Sequence, residues 1–380
     1  MKGVMLLNTG CRVMLSLMQL DIGGAETHVV ELARELKKRG YYVVVTSNGG
    51  VYERELQRNG IKHYKIPLQN KNPFNVYKAF KLLKKVIVEE KIDIVHSHAR
   101  IPSFILGKLQ KKMKFPFVTT AHWVFTTKYG LKYITDWGQH AVAVSEDIKK
   151  YLMDNYKMPE ENINVTINGI DTEKFSAGID CSDIKKEFGI EDGDNVIVYV
   201  SRMDEDRSLA AKMLIEISDV LDKNIESLKI VIVGGGNDYD NVSRLARTYN
   251  AKVDRNMIQL AGARTDINMF AAMGDLFVGV SRAALEAMSC EKPVIIAGNE
   301  GYIGLFDEEK LDIGIKTNFC CRGCEETSKD KLRKDILNYF NMPEADKQIL
   351  REYSRKLIVE NYSVKRMVDD TVYAYEKVLN

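Results

Sequence analysis

Short apolar, β-branched runs alternate along the whole chain with longer stretches whose apolar residues recur at helical spacing. This alternation predicts parallel strands joined by helices on both faces of an open sheet. In the first half, six runs resemble strands: Arg12 to Met18, Tyr41 to Thr46, Ile92 to His96, Phe117 to Thr120, Ala141 to Ser145 and Asn164 to Ile167. Helix ends are recognisable at Gly40, which suits a left-handed cap, and at Ser145, which suits an N-terminal cap.

A polar stretch from Asn168 to Asn195 separates these runs from a second set. The second set comprises Val196 to Ser201, Lys229 to Val233, Ile258 to Ala261, Leu276 to Val280 and Pro293 to Ala297. We therefore predict two α/β domains, residues 1–175 and 176–362, each a Rossmann-like doubly wound parallel sheet. A helix over Ser363 to Leu379 forms the last segment, residues 363–380.

The composition of the 380 residues is typical of a soluble protein, with 45% hydrophobic and 28% charged residues. Charged or polar residues interrupt every apolar run before it could span a bilayer, and Met1 to Leu7 is too short for the core of a secretory signal. The sequence predicts a cytoplasmic protein.

The net charge is only +2, but it is unevenly distributed. Residues 1–170 contain 26 Lys and Arg against 15 Asp and Glu, whereas the remainder contains 29 against 38. Basic residues of the first half fall on two predicted helices, around Lys78 to Lys85 and Lys108 to Lys114. Two interpretations remain open: docking on an anionic membrane surface, or ordinary amphipathic helices with a solvated basic face. No recognised nucleic-acid-binding motif accompanies the charge, so no nucleic-acid partner is predicted.

No metal site is predicted from the sequence. Cys320, Cys321 and Cys324 cluster in a predicted loop, but zinc requires about four ligands, and no second cysteine pair or histidine is close in sequence. The acid-x-acid pairs at Asp204 and Asp238 are expected by chance in so acidic a chain. We expect reduced thiols and no metal.

Several sequence motifs suggest a phosphorylated, sugar-like ligand. After the strand Leu276 to Val280, the backbone amides of the loop and of the helix start would hold phosphate, while Glu286 would accept hydrogens from a diol. Gly23 and Gly24 open the first helix, where close backbone approach and free amides favour an anion; the alternative is a glycine turn with a helix cap.

Arg202 and Arg207 follow the first strand of the second domain. Two guanidinium groups there could stabilise a departing diphosphate; the alternative is surface pairing with the acids between them. His98 and His122 end neighbouring strands of the first domain. A lone histidine at a strand end is more commonly structural, but two at one rim suggest a site.

These motifs resemble those of the family 4 retaining glycosyltransferases. The resemblance rests on Asp-x-Gly-Gly-x-Glu ending at Glu26, Asn-Gly-Ile-Asp ending at Asp171, an arginine motif at Arg202, the turn at Gly262, and Glu-Ala-Met beginning at Glu286. Two departures stand out. Val278 occupies the position of an earlier glutamate, and Arg207 replaces a lysine.

The resemblance implies a GT-B fold, in which two domains face a central cleft and the last helix crosses back onto the first domain. It also implies residue roles. The catalytic residues would be Arg202, Arg207 and His122; the donor-binding residues would be Gly23, Gly24, Gly262, Ser281, Arg282 and Glu286; and the acceptor side would include Glu26 and His98.

The implied reaction is transfer of a sugar, with retention, from a nucleotide-sugar such as a UDP-sugar to a hydroxyl acceptor. No metal or other cofactor is implied. The basic first domain favours a glycan or lipid-linked acceptor of the cell envelope and peripheral contact with the inner face of the membrane. Two alternatives remain: a GT-B sugar-nucleotide epimerase, and a non-catalytic protein that binds nucleotide-sugars or glycans.

Overall fold

The computed structural model describes residues 10–128 and 130–379, except for the side chain of Leu131. Met1 to Leu7, considered above as a signal segment, lies outside the described residues. The chain divides into two compact units. The first comprises residues up to Gly169 together with the segment from Val364 onward, and the second comprises Ile170–Ser363.

The first unit is built on a seven-stranded, fully parallel sheet in the order β3-β2-β1-β4-β5-β6-β7. Its strands are β1 (Arg12–Ser16), β2 (Tyr42–Ser47), β3 (Lys62–Lys65), β4 (Ile94–Ser97), β5 (Phe117–Ala121), β6 (His140–Ala143) and β7 (Ile163–Val165). Its helices are α1 (Gly24–Lys38), α2 (Glu53–Arg58), α3 (Pro73–Glu89), α4 (Arg100–Met113), α5 (Glu146–Tyr156) and α15 (Val364–Leu379).

The second unit is built on a six-stranded sheet in the order β10-β9-β8-β11-β12-β13, in which only β13 runs antiparallel. Its strands are β8 (Asn195–Val200), β9 (Leu228–Val233), β10 (Ile258–Gly262), β11 (Leu276–Gly279), β12 (Val294–Gly298) and β13 (Gly301–Leu305). Its helices are α6 (Ser182–Glu187), α7 (Leu209–Glu216), α8 (Ser218–Asp222), α9 (Tyr239–Val253), α10 (Ile267–Met273), α11 (Ser281–Ser289), α12 (Leu311–Lys316), α13 (Lys329–Phe340) and α14 (Glu344–Asn361).

The eleven predicted strands are all present. The central positions of nine of them are buried because helices cover both sheet faces, whereas those of the edge strands β7 and β10 are only partly buried. Two edge strands, β3 and β13, were not predicted. β3 reads Lys-His-Tyr-Lys and β13 carries two glycines, so neither has the apolar run of a central strand. One capping prediction differs in detail: Ser145 precedes α5 as expected, but its hydroxyl donates to the Asp147 carboxylate and caps no backbone amide.

The last helix, α15, packs against α1, β5 and β6 of the first unit. Its Tyr375 is fully buried, and Asp370 accepts a 3.0 Å hydrogen bond from Thr166. Gly169 lies so close to Met367 that a side chain at position 169 would collide with it. The helix is therefore an integral part of the first unit's core.

Candidate active site

The glycine loop before α1 is held by the loop after β2. Leu20 N donates to Gly49 O at 2.8 Å, and Tyr52 N donates to Leu20 O at 3.1 Å. Gly50 has φ +151°, and a side chain there would collide with the Leu20 carbonyl group. Only glycine allows this close approach, so the loop after β2 can hold the loop that leads to Gly23 and Gly24 in place.

Gly23 is the N-cap residue of α1, and Gly24 begins the helix. The Thr27 hydroxyl donates to Gly23 O at 2.9 Å and lies 3.1 Å from the Tyr52 hydroxyl. Glu26, in the first helical turn, lays its carboxylate over Gly23. The predicted acceptor-side carboxylate and the predicted phosphate loop are therefore neighbours.

Histidines from three elements meet near this loop. His98 follows β4, and its Nδ1 lies 3.2 Å from Nε2 of His122, which follows β5. His28, on α1, packs its ring 4.7 Å from that of His122. The sequence predicted His98 and His122 at one rim of the sheet, and the structure brings them together. His28 was missed, because a histidine inside an amphipathic helix carries no signal of its own.

In the second unit, loops after three neighbouring parallel strands converge at the carboxyl edge of the sheet. Gly234, after β9, has φ +144°, and a side chain there would overlap the carbonyl oxygen of Ser201, after β8. Gly234 N donates to Gly262 O, at the end of β10, at 2.8 Å. The glycine turn thus connects the loop that carries Arg202 to the turn at Gly262.

A buried carboxylate stabilises the same loops. Asp238 accepts hydrogen bonds from Ser208, Asn241 and Lys212, the last at 2.5 Å. Burial by itself would raise the pKa of Asp238, but the hydrogen bonds outweigh this effect and lower the pKa to about 2. Asp238 is therefore an ionised group that stabilises these loops.

Arg202 and Arg207 lie on the exposed part of this edge. Arg202 Nη2 is 3.2 Å from Asp204 Oδ2, and Arg207 Nε is 3.9 Å from Asp206 Oδ2. The two arginine side chains are 52% and 46% exposed, so a ligand can reach either. Arg264, by contrast, is held by Glu187 and Asp266 at 2.7 Å each.

Glu286 and Arg282 form a buried ion pair on α11, with Arg282 Nε donating to Glu286 Oε1 at 2.8 Å. Their side chains are only 9% and 8% exposed. Burial raises the pKa of the Glu286 carboxyl group above its ordinary value, against the opposing effects of Arg282 and Lys174. Arg282 therefore orients the carboxylate, a role that the sequence reading did not assign.

The helix start at Ser281 is unusual. A single residue, Val280, separates β11 from α11, and Ser281 has φ +53°, a left-handed conformation that is rare outside glycine. Ser281 N donates to Phe319 O at 2.7 Å, so the backbone amide of this predicted donor-binding residue already has a partner. Val278, at the position where the resemblance places an earlier glutamate, is buried within β11.

The predicted residues thus form two groups. Gly23, Gly24, Glu26, His98 and His122 lie on the first unit, at the carboxyl edge of its sheet. The others lie at the corresponding edge of the second unit: Arg202, Arg207, Gly262, Ser281, Arg282 and Glu286.

The Glycosyltransferase Family 4 model matches residues 22–174, and the model for Glycosyl transferases group 1 matches residues 180–368. The two matches follow each other and together span most of the chain. The chain belongs to the family 4 glycosyltransferases.

Similar proteins support this placement. An N-acetyl-alpha-D-glucosaminyl L-malate synthase of Bacillus anthracis is 23% identical over 90% of this glycosyltransferase and 93% of its own length. A UDP-Gal:alpha-D-GlcNAc-diphosphoundecaprenol alpha-1,3-galactosyltransferase of Escherichia coli is 28% identical over 58% of this chain and 61% of its own. HepE of Anabaena, solved with UDP and glucose, has a TM-score of 0.74 at 16% identity, covering 97% of this chain and all of its own.

These findings confirm the predicted GT-B fold and the prediction of a glycosyltransferase. Among the described residues, no helix is long and apolar enough to cross a membrane.

Proposed function

We propose that this glycosyltransferase moves a sugar, with retention at the anomeric carbon, from a UDP-sugar to a hydroxyl group of a lipid-linked or envelope glycan acceptor. The observation that carries the donor assignment is the buried Arg282–Glu286 pair at the carboxyl edge of the second sheet. Because Oε1 of Glu286 accepts from Arg282, Oε2 is the oxygen available to a ribose diol.

Exposed cations at the same edge support a diphosphate leaving group. Arg202 pairs with Asp204 and Arg207 lies near Asp206, and a diphosphate can replace these acids as the partner of either guanidinium group. Negative charge develops on the diphosphate as the sugar departs, so fixed guanidinium groups lower the barrier by binding the transition state more tightly. Retention is inferred from the family, in which the leaving phosphate takes the acceptor's proton on the same face.

Uridine is the base that we favour. HepE was solved with UDP, and the Escherichia coli relative is named for a UDP-Gal donor. Gly262, at the turn after β10, would meet the base through its backbone. Since Arg264 is held by two carboxylates, backbone groups are better candidates for reading the base than its side chain.

A basic, apolar surface on the first unit supports a lipid-linked acceptor. Helices α3 and α4 pack together around a groove of about 370 Å³ lined by Phe80, Phe104 and lysines that include Lys108 and Lys112. The Lys108 and Lys112 ammonium groups lie 5.5 and 5.4 Å from the centroids of the Phe104 and Phe80 rings. Lysines around apolar surface suit anionic headgroups above acyl chains, so we place the enzyme peripherally on the inner membrane face.

The experiment that tests the activity incubates the full chain with a panel of nucleotide-sugars, with and without lipid-linked acceptors, and analyses all products. We expect release of the nucleoside diphosphate, accelerated by the right acceptor. Conversion of the donor sugar without transfer would identify an epimerase. Tight donor binding without turnover would identify a binding protein.

Vesicle flotation tests the membrane assignment. We expect binding to phosphatidylcholine vesicles that contain phosphatidylglycerol and little binding to phosphatidylcholine alone. Lys108→Glu with Lys112→Glu should abolish binding, whereas Lys223→Glu with Lys252→Glu, exposed lysines of the second unit, should not. Equal loss in both variants would show only a nonspecific charge effect and would refute the assignment to α3 and α4.

A further inference from the structure

Three imidazole side chains in the first unit lie close enough to share one ion. One nitrogen from each of His28, His98 and His122 lies within 4.8 Å of the other two. The three residues come from α1, the end of β4 and the end of β5, so the fold assembles them from distant parts of the chain. Such a set differs from a surface cluster created by neighbouring residues in sequence.

Their spacing approaches that of a metal site. Zinc binds histidine nitrogen at about 2.0–2.1 Å, so two nitrogens of a tetrahedral site are separated by roughly 3.3 Å. The distance between His98 Nδ1 and His122 Nε2 is 3.2 Å. Closing the widest separation from 4.8 Å requires a shift of roughly 1.5 Å, which side-chain rotation can supply.

The surroundings suit a ligand. His28 and His98 are buried, and the His98 nitrogen nearest to His122, Nδ1, is hydrogen-bonded to His122 Nε2, so a bound ion would replace that hydrogen bond. Neutral imidazole is the form that binds metals. His122 is only half-buried and leaves a path for an ion to enter.

His96 is a useful contrast in the same cluster. Its ring stacks 4.1 Å from that of His98, but its own nitrogens are satisfied by the Tyr375 hydroxyl at 2.9 Å and the Thr120 hydroxyl at 2.7 Å. His96 therefore fits the structural role expected for a lone buried histidine and does not belong to the ligand set.

We propose that His28, His98 and His122 bind one divalent transition-metal ion of the zinc class. Three imidazoles leave one coordination position for water or for a hydroxyl or phosphate oxygen, as in zinc sites that bind substrates. The inference differs from the sequence-based expectation of no metal. It does not depend on the donor assignment, which rests on the second unit, but it gives His98 and His122 a role besides the acceptor-side and catalytic ones that the resemblance implies.

The test is titration of the full-length, untagged, chelator-treated protein with Co²⁺, followed by visible absorption, and then displacement by Zn²⁺. We expect one Co²⁺ per chain, with the absorption of a four- or five-coordinate ion that Zn²⁺ abolishes. Separate His28→Asn, His98→Asn and His122→Asn variants should weaken binding by at least about 10- to 100-fold, the loss seen even for groups that only support a metal's ligands.

Two controls keep the result specific. His63→Asn removes an imidazole from the edge strand β3, where it contacts Ser47 and Glu53, and should leave binding unchanged. Cys324→Ser tests the cysteine loop as the competing metal site and should also leave binding unchanged. Metal-free melting temperatures and near-ultraviolet circular dichroism show whether each variant folds, and half-buried His122 is the variant most easily tolerated.

Zn²⁺ should also raise the melting temperature of the wild type but not of His122→Asn, because only a ligand bound to the native state stabilises it. Absence of Co²⁺ binding, loss of binding in Cys324→Ser, or retention of full affinity in a folded His122→Asn variant would each overturn the proposal.

Discussion

Glu286→Ala should both destabilise the second unit and weaken donor binding. The substitution removes the carboxylate that pairs with Arg282 at 2.8 Å, where both side chains are less than a tenth exposed. Deleting one partner of a buried pair costs about 3–5 kcal/mol, because the other charge stays buried without it. At about 2–4 °C per kcal/mol for a unit of this size, the melting temperature should fall by roughly 6–20 °C.

The donor effect is estimated separately. A hydrogen bond to a charged group contributes about 1.5–3 kcal/mol, so loss of the contact with ribose should raise the donor Kd roughly tenfold to 100-fold. Isothermal titration with the UDP-sugar, at a temperature where the variant is folded, measures this directly. The difference in melting temperature between the wild type and the variant should be the same with and without acceptor.

A double variant separates folding from binding. Arg282→Met with Glu286→Leu replaces the ion pair by apolar side chains of similar volume, which is often neutral for folding, yet it removes the acceptor of ribose hydrogens. Asp330→Ala is the matched control, since its partner Arg333 lies one turn away on a helix surface, with side chains 85% and 42% exposed. An unchanged melting temperature in Glu286→Ala, or undiminished donor affinity in the double variant, would refute the reasoning.

Three further outcomes are expected. Arg202→Ala should lower kcat by about 100- to 1,000-fold, the usual cost of removing one transition-state donor, whereas Arg247→Ala on α9 should not; equal rates would remove Arg202 from the mechanism. Because the pKa of Glu286 is raised, donor affinity should fall as the pH falls, starting above the pH at which an ordinary glutamate titrates, and Glu286→Gln should flatten that dependence; a flat wild-type profile would contradict it. Gly234→Ala, which collides with Ser201, should lower the melting temperature more than Gly193→Ala, which shares a positive φ but has open space; equal losses would argue against the steric explanation.

The sequence was most informative where burial is strongest. Central strands such as β8 and β11 are covered on both faces, so their apolar runs identify them directly. The edge strands β3 and β13 pair on one side only and carry polar residues or glycine, which leaves no such pattern. The antiparallel direction of β13 likewise depends on a short turn after β12, which periodicity does not encode.

The sequence predicted where the candidate-site residues lie, but it did not predict which residues they contact. Strand ends predicted where His98, Arg202 and Glu286 would lie, because parallel strands deliver their carboxyl ends to one edge. The four-residue spacing of Arg282 and Glu286 on a helix indicates that they can pair, but it does not indicate that the pair is buried. His28 joins the histidine cluster only through the packing of α1 on the sheet, and the left-handed Ser281 depends on a contact with Phe319, far along the chain.

The central claim is sugar transfer from a nucleotide donor with retention. Proton NMR of the product formed from an α-linked UDP-sugar and its acceptor tests that claim most directly, through the coupling of the anomeric proton early in the reaction. The account predicts an α-linked product and stoichiometric UDP. A β-linked product, or an altered donor sugar that is never transferred, would contradict it.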